Sequence, residues 1–247
     1  MSYLSLIYHE VFYRPLLNGL LFLTDILPGN DLGFSVILLT LMLRVLMFPL
    51  THKMLHTQNT MKSIEPEIKK IYSETANNKE EQSKRIMELY KKHGINPFSG
   101  FLTLLIQFPL LFAMYSVFWA GLPFNPAEVY GFLAIPAHIN TYFLGFINLT
   151  LPNIGFAGLS AVSQFWQIKL ATPPKNASVG KPDTQSMMQK QMLYVFPVII
   201  FVIGFKLPAA VALYWTTMNL FAIVHEAIVR KKTGIKPGFV PTSIGSG

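Results

Sequence analysis

The chain contains no cysteine among its 247 residues, so it has no disulfide, no thiolate metal ligand and no cysteine that carries a lipid. Charged residues are also scarce, at 13% of the chain, where soluble domains have about 25%. Hydrophobic residues make up 51%, and the mean hydropathy is +0.40. This composition excludes an ordinary soluble domain and indicates an all-α polytopic membrane protein.

The sequence also lacks the motifs of the common catalytic centres. It has no nucleophile motif, no glycine-rich phosphate loop and no dinucleotide fingerprint. His52 and His56 have the i, i+4 spacing of a helical metal site, but no glutamate follows the first histidine and no third ligand is evident. An interfacial helix face is the alternative for this pair. We therefore expect no enzyme, metal or cofactor chemistry, and work on a substrate must come from binding and partitioning.

The stretch from Gly33 to His52 has the length and apolarity of a membrane span but contains Arg44. An arginine in hydrocarbon costs roughly 3 kcal/mol on insertion scales. Arg44 lies eight residues before His52, which is about 12 Å along a helix. That depth favours a wet cavity inside a helix bundle over an arginine that snorkels to the headgroups.

Further apolar stretches complete a core that we assign to residues 32–232. Pro49 should kink or stop the first span near its end. A tail rich in glycine, proline and serine follows the core at 233–247, and we expect it to be disordered. The predicted spans are about 33–52, 98–120, 153–171, 187–205 and 208–229.

A polar segment, 53–95, separates the first two spans and is predicted to form a cytoplasmic helical hairpin. Its second helix covers about 79–93, and Gly94 suits the C-terminal cap. The dense charge of the hairpin indicates either a solvated face or a surface for anionic headgroups or a charged partner. The first helix is predicted from one apolar stripe, formed by Met54, Met61, Ile64, Ile68 and Ile71.

The segment before the first span, 1–31, is predicted to hold an interfacial amphipathic helix. Val11 to Leu27 is apolar but includes Arg14, Pro15, Asn18 and Asp25, which fits a helix on the membrane surface better than a span. A short span is the alternative. The apolar stripe of this helix consists of Leu16, Leu20, Leu23 and Leu27.

Basic residues are distributed unevenly between the two sides of the predicted spans. With the hairpin in the cytoplasm, Arg14 and Lys206 are the basic residues on the outer side, and the remaining lysines and arginines of the loops lie inside. This asymmetry predicts five spans, with the N-terminus outside and the C-terminus in the cytoplasm.

Several polar side chains lie at membrane depth in the predicted spans. Each is explained by a hydrogen bond between helices, worth about 0.6 kcal/mol on average. Collected around the arginine, they would instead line an aqueous pocket. The set consists of Thr40, Arg44, Gln107, Ser163, Gln164, Gln167, Tyr214, Trp215 and Asn219.

Four stretches together resemble the YidC/Oxa/Alb family of membrane protein insertases, in collinear order over about 10–232. The chain is similar to the short bacterial YidC type, which has no large periplasmic domain. The stretches are GFSVILLTLMLRVLMFPLT, YKKHGINPFSGFLTLLIQFPLLFAMYSVF, TYFLGFINLTLPNIGFAGLSAVSQFWQIKL and MMQKQMLYVFPVIIFVIGFKLPAAVALYWTTMNL.

The resemblance implies a five-helix bundle in the bacterial plasma (inner) membrane, with a hydrophilic groove open to the cytoplasm and the lipid. It implies that Arg44 is the central groove arginine and that Trp215 and a glutamine of the third span are its polar partners. This chain has Ile168 after Gln167 where the family often has paired glutamines, so the choice between Gln164 and Gln167 stays open.

The function implied by the resemblance is the insertion and folding of nascent integral membrane proteins without nucleotide hydrolysis. The partners are then nascent membrane proteins and the lipid bilayer, with the ribosome and the Sec translocon as further candidates and no specific nucleic acid. A small transporter or channel with a charged intramembrane site is the alternative. It would need a continuous pathway or paired repeats, and the sequence has no internal repeat.

Overall fold

The computed structural model describes residues 3–76, 78–95, 99–120, 124–171 and 184–233, and most of these residues are helical. The chain divides into two compact units, one of Met1–Leu46 with Gln107–Val229 and one of Met47–Ile106 with Arg230–Gly247. The helices are α1 (Tyr3–Tyr8), α2 (Arg14–Ile26), α3 (Leu32–Leu46), α4 (Phe48–Ser63), α5 (Glu65–Glu74), α6 (Lys79–Lys92), α7 (Ser99–Trp119), α8 (Ile154–Ala171), α9 (Thr184–Gly204) and α10 (Ala209–Thr233).

The N-terminal segment is helical from Tyr3, because a π-helical turn at His9–Tyr13 joins α1 to α2. The leucine stripe predicted to face the membrane surface has a protein partner, since α2 packs against α3. Gly19 permits this close approach: a Cβ atom there would lie 3.1 Å from the Leu39 side chain. The buried leucines of α2 are Leu16, Leu17, Leu20, Leu21 and Leu23.

The first predicted span, 33–52, is not one helix, because the chain breaks at Met47 between α3 and α4. Pro49 explains the position of the break: it has no N–H for the carbonyl of Val45, and its ring crowds that carbonyl. Within the described ranges, no single helix is both long and apolar enough to cross a membrane, whereas the bent pair 32–46 and 48–55 meets that test.

The other predicted spans coincide with α7, α8, α9 and α10, with ends that differ by a few residues. The last helix continues to Thr233, so the first residue of the predicted tail is helical. Residues 234–247 of that tail, like the polar loop at 172–183, lie outside the described residues.

A small β-hairpin in the connection between α7 and α8 was missed by the all-α prediction. Strands β1 (Tyr142–Phe143) and β2 (Ile147–Asn148) pair antiparallel, with Phe143 opposite Ile147. Two residues at the turn have positive φ, Leu144 at 54° and Gly145 at 82°. Strands of two residues are too short to show an alternating pattern in the sequence, so only this turn carried a local signal.

Backbone hydrogen bonds attach this connection to the starts of two helices. The N–H of Leu32 donates to the carbonyl of Asn140 over 2.9 Å at the start of α3. At the start of α10, the N–H groups of Ala209 and Ala210 donate to the carbonyls of Leu151 and Leu149 over 2.9 and 3.0 Å. The first N–H groups of a helix have no partner within that helix, so the connection supplies acceptors that α3 and α10 would otherwise lack.

The aromatic ring of Phe143 covers the first turn of α3 at Gly33. A Cβ atom at this glycine would lie 2.1 Å from Cδ2 of Phe143. Phe143 is 7% exposed and makes an edge contact with Phe34, with ring centroids 5.3 Å apart. Only glycine allows this ring to lie against the helix.

We expect Gly33→Ala to destabilise the protein by about 1 to 3 kcal/mol, because the buried ring of Phe143 must move. The thermal unfolding midpoint of the purified protein in detergent measures this loss. The matched control is Gly158→Ala in α8, where a Cβ atom would meet nothing within 4 Å. The control should raise the midpoint or leave it unchanged, since alanine is the better helix former. Equal midpoints for the two variants would contradict the packing role of Gly33.

One carboxylate, Glu128, ties the N-terminal helix to the same connection. Its Oε2 lies 2.9 Å from His9 Nε2 and 3.7 Å from Arg14 Nε. Its backbone carbonyl accepts a hydrogen bond of 2.9 Å from the side chain of Asn18, which in turn accepts one of 2.7 Å from the N–H of Tyr130. These contacts fix the helix at its polar positions, which the sequence assigned to the membrane surface.

Glu128→Gln should weaken this attachment by about 1 kcal/mol, because it removes the charge that faces His9 and Arg14 in a partly exposed site. Amide hydrogen exchange over 3–14 should then be about fivefold faster, as that energy corresponds to a factor of about five. Glu80→Gln, at an exposed position of α6, is the control and should leave exchange over 3–14 unchanged. Unchanged exchange in both variants would show that Glu128 does not hold the helix.

The second unit contains the hairpin of α5 and α6. Its small core is formed by Ile64, Leu89 and Ile95. Asn78 caps α6 by accepting a 3.1 Å hydrogen bond from the N–H of Glu81, and Gly94 ends it with φ of 63°. Residues of the predicted apolar stripe pack against this core, namely Met61, Ile68 and Ile71, together with Tyr90 of α6.

Candidate functional site

The polar residues predicted for the site lie on four helices of the first unit. Their helical spacings, such as the i, i+4 pair Trp215 and Asn219, place members of one helix on a shared face. Their positions are Thr40 and Arg44 on α3, Gln107 on α7, Gln164 and Gln167 on α8, and Tyr214, Trp215 and Asn219 on α10.

The helices α8 and α10 are joined by the side chains of Gln164 and Trp215. The indole Nε1 of Trp215 donates to Oε1 of Gln164 over 2.6 Å. The amide Nε2 of Gln164 donates to Oε1 of Gln167 over 3.0 Å. Gln164 is 7% exposed, and Gln167 is only half-buried. The geometry therefore pairs Gln164 with the tryptophan and places Gln167 behind it as a second neighbour.

A second contact joins the same two helices one turn along α10. The amide Nδ2 of Asn219 donates to Oγ of Ser163 over 3.1 Å, and Ser163 donates to the carbonyl of Ser160 over 2.9 Å. All three side chains are buried. Because Ser163 and Gln164 are adjacent, α8 uses consecutive residues to hold two successive turns of α10.

The phenol of Tyr214 joins α10 to α7. Gln107 Nε2 donates to the Tyr214 hydroxyl over 3.2 Å, and Tyr214 is 2% exposed. Its neighbour Trp215 contacts α8, so two adjacent aromatic residues connect α10 to two different helices. This explains why both lie in the middle of the apolar helix and not at its end, where aromatic residues of membrane proteins are usually enriched.

Arg44 differs from the other residues of the predicted site because it is the charged one among them. Its side chain is half-buried, and the phenol of Tyr214 lies within electrostatic range. Within the part of the chain that the structure describes, no hydrogen bond or ion pair reaches its guanidinium. A charge in this position must be hydrated or bound by another molecule, since an unsatisfied buried charge is very costly.

Thr40 belongs to the predicted set but does not join these contacts. Its hydroxyl donates to the carbonyl of Val36 in its own helix over 2.6 Å, and the side chain is 1% exposed. It lies one turn from Arg44 on α3. The helix carbonyl satisfies its hydroxyl, which explains how a threonine can lie in this apolar core.

Two buried polar residues near the end of α10 were missing from the predicted site. His225 and Glu226 are 6% and 4% exposed, and the ring centroid of His225 lies 6.2 Å from that of Phe221. Helical spacing gave a signal for Glu226, which lies seven residues after Asn219 and so shares its face.

The described residues contain no group of three or more histidine, aspartate or glutamate side chains that could hold a metal ion. His56, one member of the histidine pair singled out in the sequence, has a side chain outside the described part of the structure.

These features define a class of protein: a bundle of apolar helices that is joined in its interior by amide, indole and phenol groups and that holds the half-buried Arg44. The family described as 60Kd inner membrane protein matches residues 22–236. The chain therefore belongs to this family, the YidC/Oxa/Alb family, as the four sequence stretches indicated.

Named relatives match the chain over most of its length. The membrane protein insertase YidC of Fusobacterium nucleatum subsp. nucleatum is 34% identical over 220 residues, covering 89% of this chain and 95% of that protein. The membrane protein insertase YidC of Oceanobacillus iheyensis is 32% identical over 203 residues, covering 81% of this chain and 74% of that protein. The one of Beijerinckia indica is 29% identical and is longer, so the match covers only 35% of it.

A solved structure, described as an active YidC insertase with the first transmembrane domain resolved, has a similar fold. The TM-score is 0.57 at 20% identity, and the match covers 93% of this chain and 47% of that one. At this identity the likeness concerns the fold alone.

A double-mutant cycle tests whether Asn219 and Ser163 hold α8 and α10 together. We expect a coupling of about 0.6 kcal/mol, and at most about 1.7, between Ser163→Ala and Asn219→Leu, as for other hydrogen bonds between membrane helices. Unfolding equilibria in mixed detergent measure the four free energies.

The control cycle combines Ser163→Ala with Thr216→Val. The Thr216 hydroxyl donates to the carbonyl of Ala212 in its own helix over 2.8 Å, so this pair should show a coupling near zero. A coupling as large in the control as in the test pair would mean that the effect is general loosening of the bundle.

Proposed function

We propose that this chain is a membrane protein insertase, which inserts nascent integral membrane proteins into the bilayer and helps them fold without hydrolysing a nucleotide. The proposal rests on membership of the YidC/Oxa/Alb family and on one observation, the half-buried Arg44 without a hydrogen-bond partner among the described residues. Its partners are nascent membrane proteins and the lipid bilayer, with the ribosome and the Sec translocon as further candidates.

Hydration of Arg44 is the first step of the proposed mechanism. A guanidinium has five N–H donors and remains charged at any physiological pH. Water is the partner that a bundle open on one side can supply. The arginine and its water then form a hydrophilic groove beside the bonded residues of α7, α8 and α10.

The bonds between helices keep the groove in shape. Gln107 with Tyr214, and Gln164 with Trp215, give each of these four side chains a hydrogen bond without the help of a client. An unsatisfied amide or indole in hydrocarbon would favour collapse of the helices onto each other. Because these groups are hydrogen-bonded, the helices that line the groove keep their positions while the groove holds water and no polar segment of a client is bound.

Insertion then follows from partitioning. A client with an apolar segment of about 20 residues gains free energy when that segment enters lipid, roughly 1.5 to 3 kcal/mol for each large apolar side chain. Its polar outer tail opposes entry, because that tail must cross hydrocarbon. Water and Arg44 in the groove lower the free energy of moving the polar tail part of the way across the membrane, so no nucleotide is needed.

The proposed topology has five spans with the N-terminus outside and the C-terminus in the cytoplasm of a bacterium. The bent pair of α3 and α4 supplies the first span, and α7 to α10 supply the others. The hairpin at 53–95 is then cytoplasmic, and the connection at 124–153 is outside. The distribution of lysine and arginine supports this arrangement.

Two single cysteines test the topology in a chain that has none of its own. Ser83→Cys in α6 and Ala137→Cys in the connection lie at exposed positions. A thiol reagent that cannot cross the membrane should label Ala137→Cys in intact cells and Ser83→Cys only after the cells are opened. Labelling of both from one side would refute the five-span arrangement.

Substitutions of Arg44 test the proposed mechanism. For a client with an acidic outer tail, Arg44→Ala should reduce insertion about fivefold or more. One charge pair at about 4 Å contributes roughly 1 kcal/mol in water and 4 kcal/mol at an effective dielectric of 20. The reduction should be smaller when the acidic residues of the same tail are neutralised. The measurement is insertion of both clients at limiting insertase.

Arg44→Lys separates charge from geometry, because lysine keeps the charge and loses the planar five-donor fork. It should retain much of the activity. Lys206→Ala, at an exposed lysine between α9 and α10, is the control and should leave insertion unchanged. Equal losses for acidic and neutral tails in Arg44→Ala would exclude charge attraction and leave Arg44 a structural or hydrating role.

A further inference from the structure

An apolar groove lies between α8 and α9, away from the polar contacts of α8 with α10. Its volume is about 330 Å³. Its walls are the side chains of Ala161, Val162 and Phe165 on α8, and of Tyr194, Val198 and Phe201 on α9. Val162 and Val198 are more than half exposed, so the groove opens outward. It contains none of the residues assigned to the proposed insertion mechanism.

A positive charge stands at one end of this groove. The ammonium of Lys169 lies 5.7 Å from the ring centroid of Phe165, which lines the groove, and 4.8 Å from that of Trp166. The two aromatic faces orient the ammonium by cation–π attraction. Among the described residues no carboxylate pairs with Lys169, so its three donors are available to an anion.

The order of these groups along α8 matches that of a phospholipid. Lys169 lies in the last turn of the helix, Phe165 is about 6 Å further inside and Ala161 about 12 Å further inside, at 1.5 Å per residue. The groove thus has a cation at its end and apolar walls towards the middle of the helix. In the proposed topology this end faces the cytoplasmic leaflet, where anionic lipids are enriched.

The chemistry of the groove identifies its occupant. Its walls are apolar and one end carries a cation, which together match an acyl chain and an anionic headgroup. We propose that the groove between α8 and α9 binds one anionic phospholipid, with its phosphate on Lys169 and an acyl chain along Phe165 and Val198.

The charge must supply the selectivity of such a site. Lipid tails are as apolar as the walls of the groove, so an acyl chain gains little hydrophobic free energy when it leaves the bilayer for the groove. One basic residue near an anionic surface is expected to favour an anionic over a zwitterionic lipid about fivefold. Substitution of Lys169 should abolish that preference.

Fluorescence quenching by brominated lipids measures the preference at the site itself. Trp166 is the reporter: its quenching is the difference between the reporter chain, which keeps all three tryptophans, and the same chain with Trp166→Phe, so the bond of Trp215 to Gln164 stays intact. The full chain is placed in phosphatidylcholine vesicles that contain the same fraction of brominated phosphatidylglycerol or brominated phosphatidylcholine. Symmetric vesicles make the result independent of the topology, so a failure of the proposed orientation is distinguishable from a failure of this site.

The anionic lipid should associate about fivefold better than the zwitterionic one with the reporter chain and with its Lys169→Arg variant. Lys169→Gln should reduce the ratio to about one, and Lys206→Gln, the matched control at another exposed lysine, should leave it unchanged. Equal quenching by both lipids in the reporter chain would overturn the proposal. A preference that survives in Lys169→Gln would overturn it as well.

A photocrosslinking residue at Val198 identifies the occupant directly. In native membranes the adduct should have the mass of an anionic phospholipid. The assignment would be overturned by adducts with a client protein, with a second copy of this chain, or with zwitterionic lipid in proportion to its abundance.

Discussion

The structure depends on one constraint: a polar group inside an apolar bundle must find a partner, because hydrocarbon supplies none. The residues at the centre of the first unit follow this rule in pairs. Gln164 bonds Trp215, Asn219 bonds Ser163, and Gln107 bonds Tyr214. Each pair connects two helices, so the polar groups that would weaken an apolar core become its cross-links. The arginine on α3 is the exception, and its charge is what the proposed function uses.

The two ends of the bundle contrast in how their backbone and charges are satisfied. At the end where α3 and α10 begin, the connection from 124 to 153 supplies hydrogen bonds to both helices and covers Gly33 with an aromatic ring. Its carboxylate at Glu128 faces two basic side chains of the N-terminal helix. An end built in this way resists water, whereas the guanidinium of Arg44, which has no hydrogen-bond partner among the described residues, requires it. The groove of the proposed insertase would accordingly be wet from one side only.

The sequence was most informative where a single residue determines the backbone. Apolar runs bounded by proline, glycine and charge located α7 to α10 within a few residues, and Pro49 predicted a break that the structure places at Met47. The sequence could not predict which side chains pair, because Gln164 and Gln167 are the same residue type and differ only in the neighbours that the folded bundle places beside them. Thr40 looked equally suitable for the site, yet its hydroxyl bonds its own helix. The β-hairpin was missed because its strands are two residues long, and the leucine stripe of α2 could not reveal whether lipid or protein would cover it.

Reconstitution into liposomes distinguishes an insertase that works alone from a channel or a chain that needs helpers. The purified chain, alone in liposomes without a Sec complex and without nucleotide, is given a single-span client with a short acidic outer tail, and protection of the tail from added protease is measured. Protected tail is expected in liposomes with this chain, and little is expected in liposomes that contain its Arg44→Ala variant. No ion leak is expected either, since the proposed groove is closed on the outer side. Protection that requires a nucleotide, or a chain that conducts ions and protects no client, would contradict the proposed function.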